Sequence, residues 1–246
     1  MKRFVFILII VICLYFIINT FQLGMRIYQG MKISEQSSAF EIKPPEALRK
    51  ILVVGDSTGV GTGATDPADS IAGRISRDYS HVEIINISED GAKASDVLDQ
   101  LKSVDENDFD LVLVQTGGND ILRFTLLDSL KNTISDVLHA ARRVAPDVIF
   151  ISTGNVGNAP AFFPPINWIY TKRTQKVRSV FMLVSREKGI EYVDLFQDKG
   201  KDPFVQDPDR FFTSDLLHPS SQGYAMWYEE LKAQTSLPAI LSFQEQ

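Results

Sequence analysis

Cysteine is nearly missing from this sequence: Cys13 is the only one in 246 residues. A lone thiol excludes an internal disulfide framework and any cysteine-rich zinc site. Histidine is almost as scarce, with His81, His139 and His218 making three, which leaves few ways to build a histidine metal site or a proton relay. Positive charge is in deficit as well, 25 Lys and Arg against 31 Asp and Glu, for a formal net charge of -6. Nucleic acid is excluded as a main partner on that ground, because phosphate binding needs a basic field. Hydrophobic residues at 44% and charged residues at 23% rule out global disorder. The length suits one substantial domain or two small ones.

What is present is unevenly spread. Residues 4–18 form an unbroken apolar run preceded by Lys2 and Arg3. Extended through Leu23, the run makes a helix of about 30 Å at ~1.5 Å per residue, enough to cross a bilayer. A cleaved signal peptide and a retained signal anchor both begin this way. Cleavage needs small residues in an A-x-A-like arrangement, whereas Asn19-Thr20-Phe21-Gln22-Leu23 follows the run. Cys13 comes after Val11-Ile12, without the small residue of a lipoprotein signal. An anchor over residues 1–30 is therefore expected, with secretion after cleavage as the alternative. Lys2 and Arg3 favour an inside amino terminus, although Arg26 and Lys32 partly cancel the bias. The remainder is expected on the exported side, periplasmic or extracellular. Residues 31–46, with Ser34, Ser37, Ser38 and the Pro44-Pro45 pair, read as a polar tether, and residues 47–240 as the folded domain. Four of the 25 basic residues and none of the 31 acidic ones precede Ser34, which leaves the rest of the chain at a formal -10.

Past the tether, short β-branched runs alternate with helical patterns. The runs are residues 51–54, 82–87, 111–114, 148–151 and 190–195; helical spacing occupies 92–104, 126–144, 166–188 and 221–235. Five two-sided apolar strands separated by helices describe an α/β protein, a parallel sheet covered on both faces as a three-layer sandwich. Such sheets bind ligands at the carboxyl ends of their strands. Four segments fall there or just before the last helix: Gly55-Asp56-Ser57-Thr58-Gly59, Asn86 to Gly91, Gly117-Gly118-Asn119-Asp120, and Asp215-Leu216-Leu217-His218-Pro219.

Each segment alone is an ordinary turn, and several chemistries compete for the first. A phosphate-binding P-loop needs a lysine after its last glycine, and none is there. A dinucleotide fingerprint can be placed on Gly59-x-Gly61-x-x-Ala64, but too far past the strand for the tight turn that approaches a pyrophosphate. Gly55-x-Ser57-x-Gly59 matches the nucleophile elbow of α/β-hydrolases. Its serine follows the first strand, however, and Asp215 and His218 share one loop, so the nucleophile fits better than that fold. Asp56 and Asp120 could be paired for glycoside chemistry, although both sit in turn motifs that backbone hydrogen bonding explains.

Taken in order, the four segments resemble the sequence blocks of the SGNH/GDSL hydrolase family, over residues 51–223. Ser57 matches the block I nucleophile, Gly91 the block II glycine, Asn119 the block III asparagine, and Asp215 with His218 the D-x-x-H of block V. Thr58 departs from the family's tetrad, which has leucine there. The resemblance implies a flavodoxin-like α/β/α fold and an ester hydrolase of the esterase/lipase type. It also implies catalytic Ser57, Asp215 and His218, an oxyanion hole of Ser57, Gly91 and Asn119, and no cofactor or metal.

The chemistry of these side chains agrees with those roles. A neutral serine hydroxyl needs a base to take its proton as it attacks, and imidazole exchanges protons near neutrality. A carboxylate behind the imidazole fixes its tautomer. His81 near a strand start and His139 in a helical pattern read as surface or packing residues. The loop after the fourth strand carries Phe162 and Phe163, which could line an acyl or alcohol pocket or simply pack the loop onto its domain. Lipid-like acyl esters and carbohydrate esters both suit the scaffold. A non-hydrolytic acyl- or glycan-binding descendant, or an acyltransferase, is the alternative function.

Overall fold

The computed structural model describes residues 2–105 and 107–242. An N-terminal helix, α1 (Lys2–Gln36), precedes a domain in which five strands alternate with helices. The strands are β1 (Arg49–Gly55), β2 (Val82–Asn86), β3 (Leu111–Gln115), β4 (Asp147–Ile151) and β5 (Glu191–Val193). Between β1 and β2 lie α2 (Ser57–Val60) and α3 (Ile71–Asp78), and α4 (Ala94–Lys102) leads to β3. Then come α5 (Gly118–Leu122), α6 (Leu127–Val144) and, after β4, α7 (Ile166–Lys188). Beyond β5 the chain forms α8 (Pro203–Gln206), α9 (Pro208–Phe211), α10 (Ser221–Gln234) and α11 (Leu237–Leu241).

All strand pairs are parallel and the order is β2-β1-β3-β4-β5. This is the expected five-stranded α/β architecture. The alternation of side chains along β1 and β3 explains its two cores. Leu52, Val54, Val112 and Val114 face one way, onto the buried sides of α4, α6 and α7. Ile51, Val53, Leu111 and Leu113 face the other way, onto α3, α10 and α11. On α6 the buried residues Leu130, Ile134, Val137, Leu138, Ala141 and Val144 recur at spacings of three and four, one stripe of the helix. The strand order reverses direction between β1 and β3, so the crevice for a ligand is expected beyond the carboxyl ends of those two strands.

The segment read as a polar tether, residues 31–46, begins as a continuation of α1 and then pairs with the sheet edge. Helix α1 continues to Gln36, six residues beyond position 30. Ile42 then pairs with Ile84, exchanging backbone hydrogen bonds of 3.1 and 2.8 Å, and Lys43 pairs with Glu83 at 3.0 Å. These contacts cover the outer edge of β2, whose backbone groups would otherwise be left open. The helix extends because residues 24–36 contain no proline to stop it and one of its faces rests on the domain, which offsets the weak helix formers Gly24 and Gly30.

Candidate active site

At the end of β1, Gln100 from α4 pairs with the strand backbone. Gly55 N–H donates to Gln100 Oε1 at 2.9 Å, and Gln100 Nε2 donates to the Gly55 carbonyl at 3.0 Å. With the strand end held, Asp56 caps α2, accepting from Thr58 N at 2.9 Å and Thr58 Oγ1 at 2.8 Å. Ser57 is the first residue of α2 and is almost fully buried.

The partner loop is shaped by Asp215. Its Oδ1 accepts from the N–H groups of Leu217 and His218 at 2.9 and 3.0 Å, folding the chain so that residue 218 returns to the same carboxylate. Oδ2 then meets His218 Nδ1 at 2.6 Å, and His218 Nε2 lies 3.1 Å from Ser57 Oγ. The three-residue spacing of Asp and His is thus a local geometric device. Burial pushes the Asp215 carboxyl upward, but the bond to His218, the imidazole charge and the two backbone N–H groups outweigh it. The net shift is below the ordinary carboxylate value.

Gly91 and Asn119 come from the turns after β2 and β3. Gly91 has φ +78°, a conformation that side-chain-bearing residues rarely adopt, and it faces open space apart from Arg123 Nη2. Asn119 Nδ2 donates to the Ala92 carbonyl at 3.1 Å, leaving its second hydrogen for another acceptor. Asp120 Oδ2 accepts from Ala94 N at 2.9 Å, so the two turns are tied together. Among the described residues the N–H groups of Ser57 and Gly91 find no acceptor in the chain. Ser57, Gly91, Asn119, Asp215 and His218 all line one cavity of about 610 Å³, within the roughly 300–1,000 Å³ of small-molecule sites.

The other expected residues divide. Phe162 lines this cavity and stacks on Tyr170 with ring centroids 4.4 Å apart. Phe163 turns away and packs edge-on against Tyr15 and Phe16 of α1, because the helix offers it an apolar surface. His81 Nε2 bonds the Leu241 carbonyl at 2.9 Å and His139 is exposed on α6. Asp56 and Asp120 are both engaged with backbone N–H groups, as ordinary turn formers are. Among the described residues, no group of three or more His, Cys, Asp or Glu side chains is placed to hold a metal ion.

Composition alone did not reveal one wall of the cavity, formed by residues of α1 that include Leu23, Ile27 and Met31. The available signal was periodic: Asn19, Leu23, Arg26, Gly30 and Ser34 recur at helical spacing along one side of the helix.

Comparison with known proteins bears on this arrangement. The model of the GDSL-like Lipase/Acylhydrolase family matches residues 53–226. Among solved structures, the chain is similar to the lipase Lip_vut3 from a goat rumen metagenome, at 19% identity and TM-score 0.61, over 77% of this chain and 99% of that one. It is similar to a lipase/acylhydrolase from Enterococcus faecalis at 21% identity and TM-score 0.60, over 81% and 100% of the two chains. The esterase EstA from Pseudoalteromonas sp. gives 17% identity and TM-score 0.58, over 76% and 96%. At these identities the structural likeness is one of fold. A search of curated protein sequences finds no match. The fold and the family match over most of the chain lead to one conclusion: the protein belongs to the GDSL-like lipase/acylhydrolase family.

Proposed function

We propose that the protein is a membrane-anchored serine hydrolase that cleaves carboxylic esters through an acyl-Ser57 intermediate. The observation that carries this reading is the continuous hydrogen-bonded line from Asp215 Oδ2 through the His218 ring to Ser57 Oγ, at 2.6 and 3.1 Å, opening onto the cavity. In this mechanism Ser57 Oγ attacks the ester carbonyl while His218 takes its proton, and Asp215 favours the imidazolium that forms. The N–H groups of Ser57 and Gly91 and the Asn119 amide stabilise the oxyanion. His218 then protonates the departing alcohol as the acyl C–O bond breaks. A water that gives its proton to His218 attacks acyl-Ser57, and His218 passes that proton to Ser57 Oγ as the acyl C–Oγ bond breaks and the acid leaves. Residues 1–30 hold the enzyme in the membrane, and the acidic domain lies on the exported side.

The test uses the full chain in detergent micelles with 4-nitrophenyl butyrate and a fluorophosphonate probe. Wild type should hydrolyse the ester and carry the probe on Ser57. Ser57→Ala should do neither while keeping its unfolding transition. Folded wild type that neither turns over nor labels would overturn the hydrolase in favour of a binding descendant; labelling with acyl transfer but no hydrolysis would favour a transferase.

A further inference from the structure

Helix α1 does more than span. Residues 2–18 are mostly exposed, whereas Asn19, Leu23, Arg26, Gly30, Ile33 and Ser34 are half-buried, one face of the helix resting on the catalytic rim. Arg26 Nη1 donates to the Pro160 carbonyl at 2.6 Å, and the neighbouring Ala161 N donates to the Leu216 carbonyl in the loop of Asp215 and His218 at 3.1 Å. Further toward the amino terminus, the Tyr15 hydroxyl donates to the Pro164 carbonyl at 3.0 Å. The Phe163 ring lies 5.8 and 6.1 Å from those of Tyr15 and Phe16. Tyr15 and Phe16 belong to the apolar run that ends at Ile18, so this loop reaches about 3–5 Å past the level where the run ends.

A second observation comes from the domain itself. Phe124, Leu126, Trp168 and Ile169 are 47%, 77%, 66% and 51% exposed. Phe124 meets the Tyr170 ring at 5.5 Å and Phe162 meets it at 4.4 Å, Leu126 lies two residues beyond Phe124, Trp168 and Ile169 precede Tyr170 on α7, and Tyr170 and Phe162 both line the cavity. Bare apolar clusters of this kind mark interaction sites, and tryptophan favours the membrane interface.

We propose that the domain rests on the bilayer that α1 crosses, with Phe124, Leu126, Trp168 and Ile169 in the interface. The cavity, walled by α1, then receives the acyl chain of a membrane-resident ester directly from the lipid. The substrate class rests on the hydrolase reading above; the placement against the membrane does not.

Both parts are tested with the full chain in phosphatidylcholine vesicles. The protein has two tryptophans, and Trp227 is buried. In a Trp227→Phe protein, lipid brominated along its acyl chains should quench most of the Trp168 emission. The difference between wild type and Trp168→Phe gives the same reading if Trp227→Phe fails to fold. Unquenched Trp168 overturns the placement. The second measurement uses a Leu126→Glu/Ile169→Glu protein, in which neither altered side chain lines the cavity. It should hydrolyse water-soluble 4-nitrophenyl butyrate within about twofold of wild type. Its hydrolysis of 4-methylumbelliferyl palmitate dissolved in the bilayer should fall by roughly tenfold or more. Unchanged palmitate hydrolysis, or an equal loss on both esters, overturns delivery from the lipid. Wild type that cleaves neither ester defeats the hydrolase reading and the substrate class with it, while the quenching still decides the placement.

Discussion

Asp56 and Asp215 are both almost fully buried and both feel His218, yet their carboxyls are driven in opposite directions. Burial dominates at Asp56 and raises it to about 6, against the lowering bonds from Thr58 and the lowering charge of His218, with Asp120 adding to the rise. The folded state therefore keeps a proton that the unfolded chain releases, and Asp56 weakens the fold as pH climbs from about 4 to 6. Asp56→Asn still accepts from Thr58, so denaturant unfolding at pH 4 and pH 7 should show that slope removed, a difference on the order of 3 kcal/mol. Asp215 has the reverse sign. Its stabilisation is present above the ordinary carboxylate value and is lost as pH falls through its lowered one. Asp215→Asn should leave the ester bound but lower kcat by about 10⁴, since an amide no longer enforces the tautomer. Asn119→Ala removes one oxyanion donor and should cost about 2.7–4 kcal/mol in kcat/KM, read from steady-state kinetics.

At the scale of elements, the strands and long helices follow from pattern. Residues 51–54 and 111–114 are apolar on both sides because β1 and β3 are covered on both faces. The Asp215–His218 spacing was likewise readable, because its turn is closed by bonds within four residues. What could not be read depends on contacts distant in sequence. Ile42 finds Ile84 across an edge that no local pattern announces. Phe163 faces Tyr15 and Phe16, almost 150 residues away, while its neighbour Phe162 faces the cavity. Gly117 shows how an element junction sets the site. It has φ +117°, and an added Cβ would stand 2.5 Å from Phe181 Cε2, in a ring that packs on Phe150 at 5.1 Å. Gly117→Ala should thus destabilise by about 1–3 kcal/mol and shift Asn119, two residues on, so thermal unfolding and kcat should fall together.

Across the whole molecule, α1 and the α/β domain are not separable parts, and at Gly30 the helix comes up against Asp215. A Cβ built there would lie 3.0 Å from Asp215 Oδ2, through the half-buried face of α1. Were α1 a span joined to the domain by a loose tether, Gly30→Ala would simply favour the helix, by up to about 1 kcal/mol. In the packed arrangement the new methyl presses on the carboxylate that orients His218, and Gly30→Leu presses harder. The expected order of kcat/KM on 4-nitrophenyl butyrate is wild type, then Gly30→Ala, then Gly30→Leu, with the last reduced roughly tenfold or more. Fluorophosphonate labelling of Ser57 should slow in the same order, because it reports the nucleophile and its base without turnover. Equal rates in all three proteins, each still folded, would mean that α1 does not bear on Asp215.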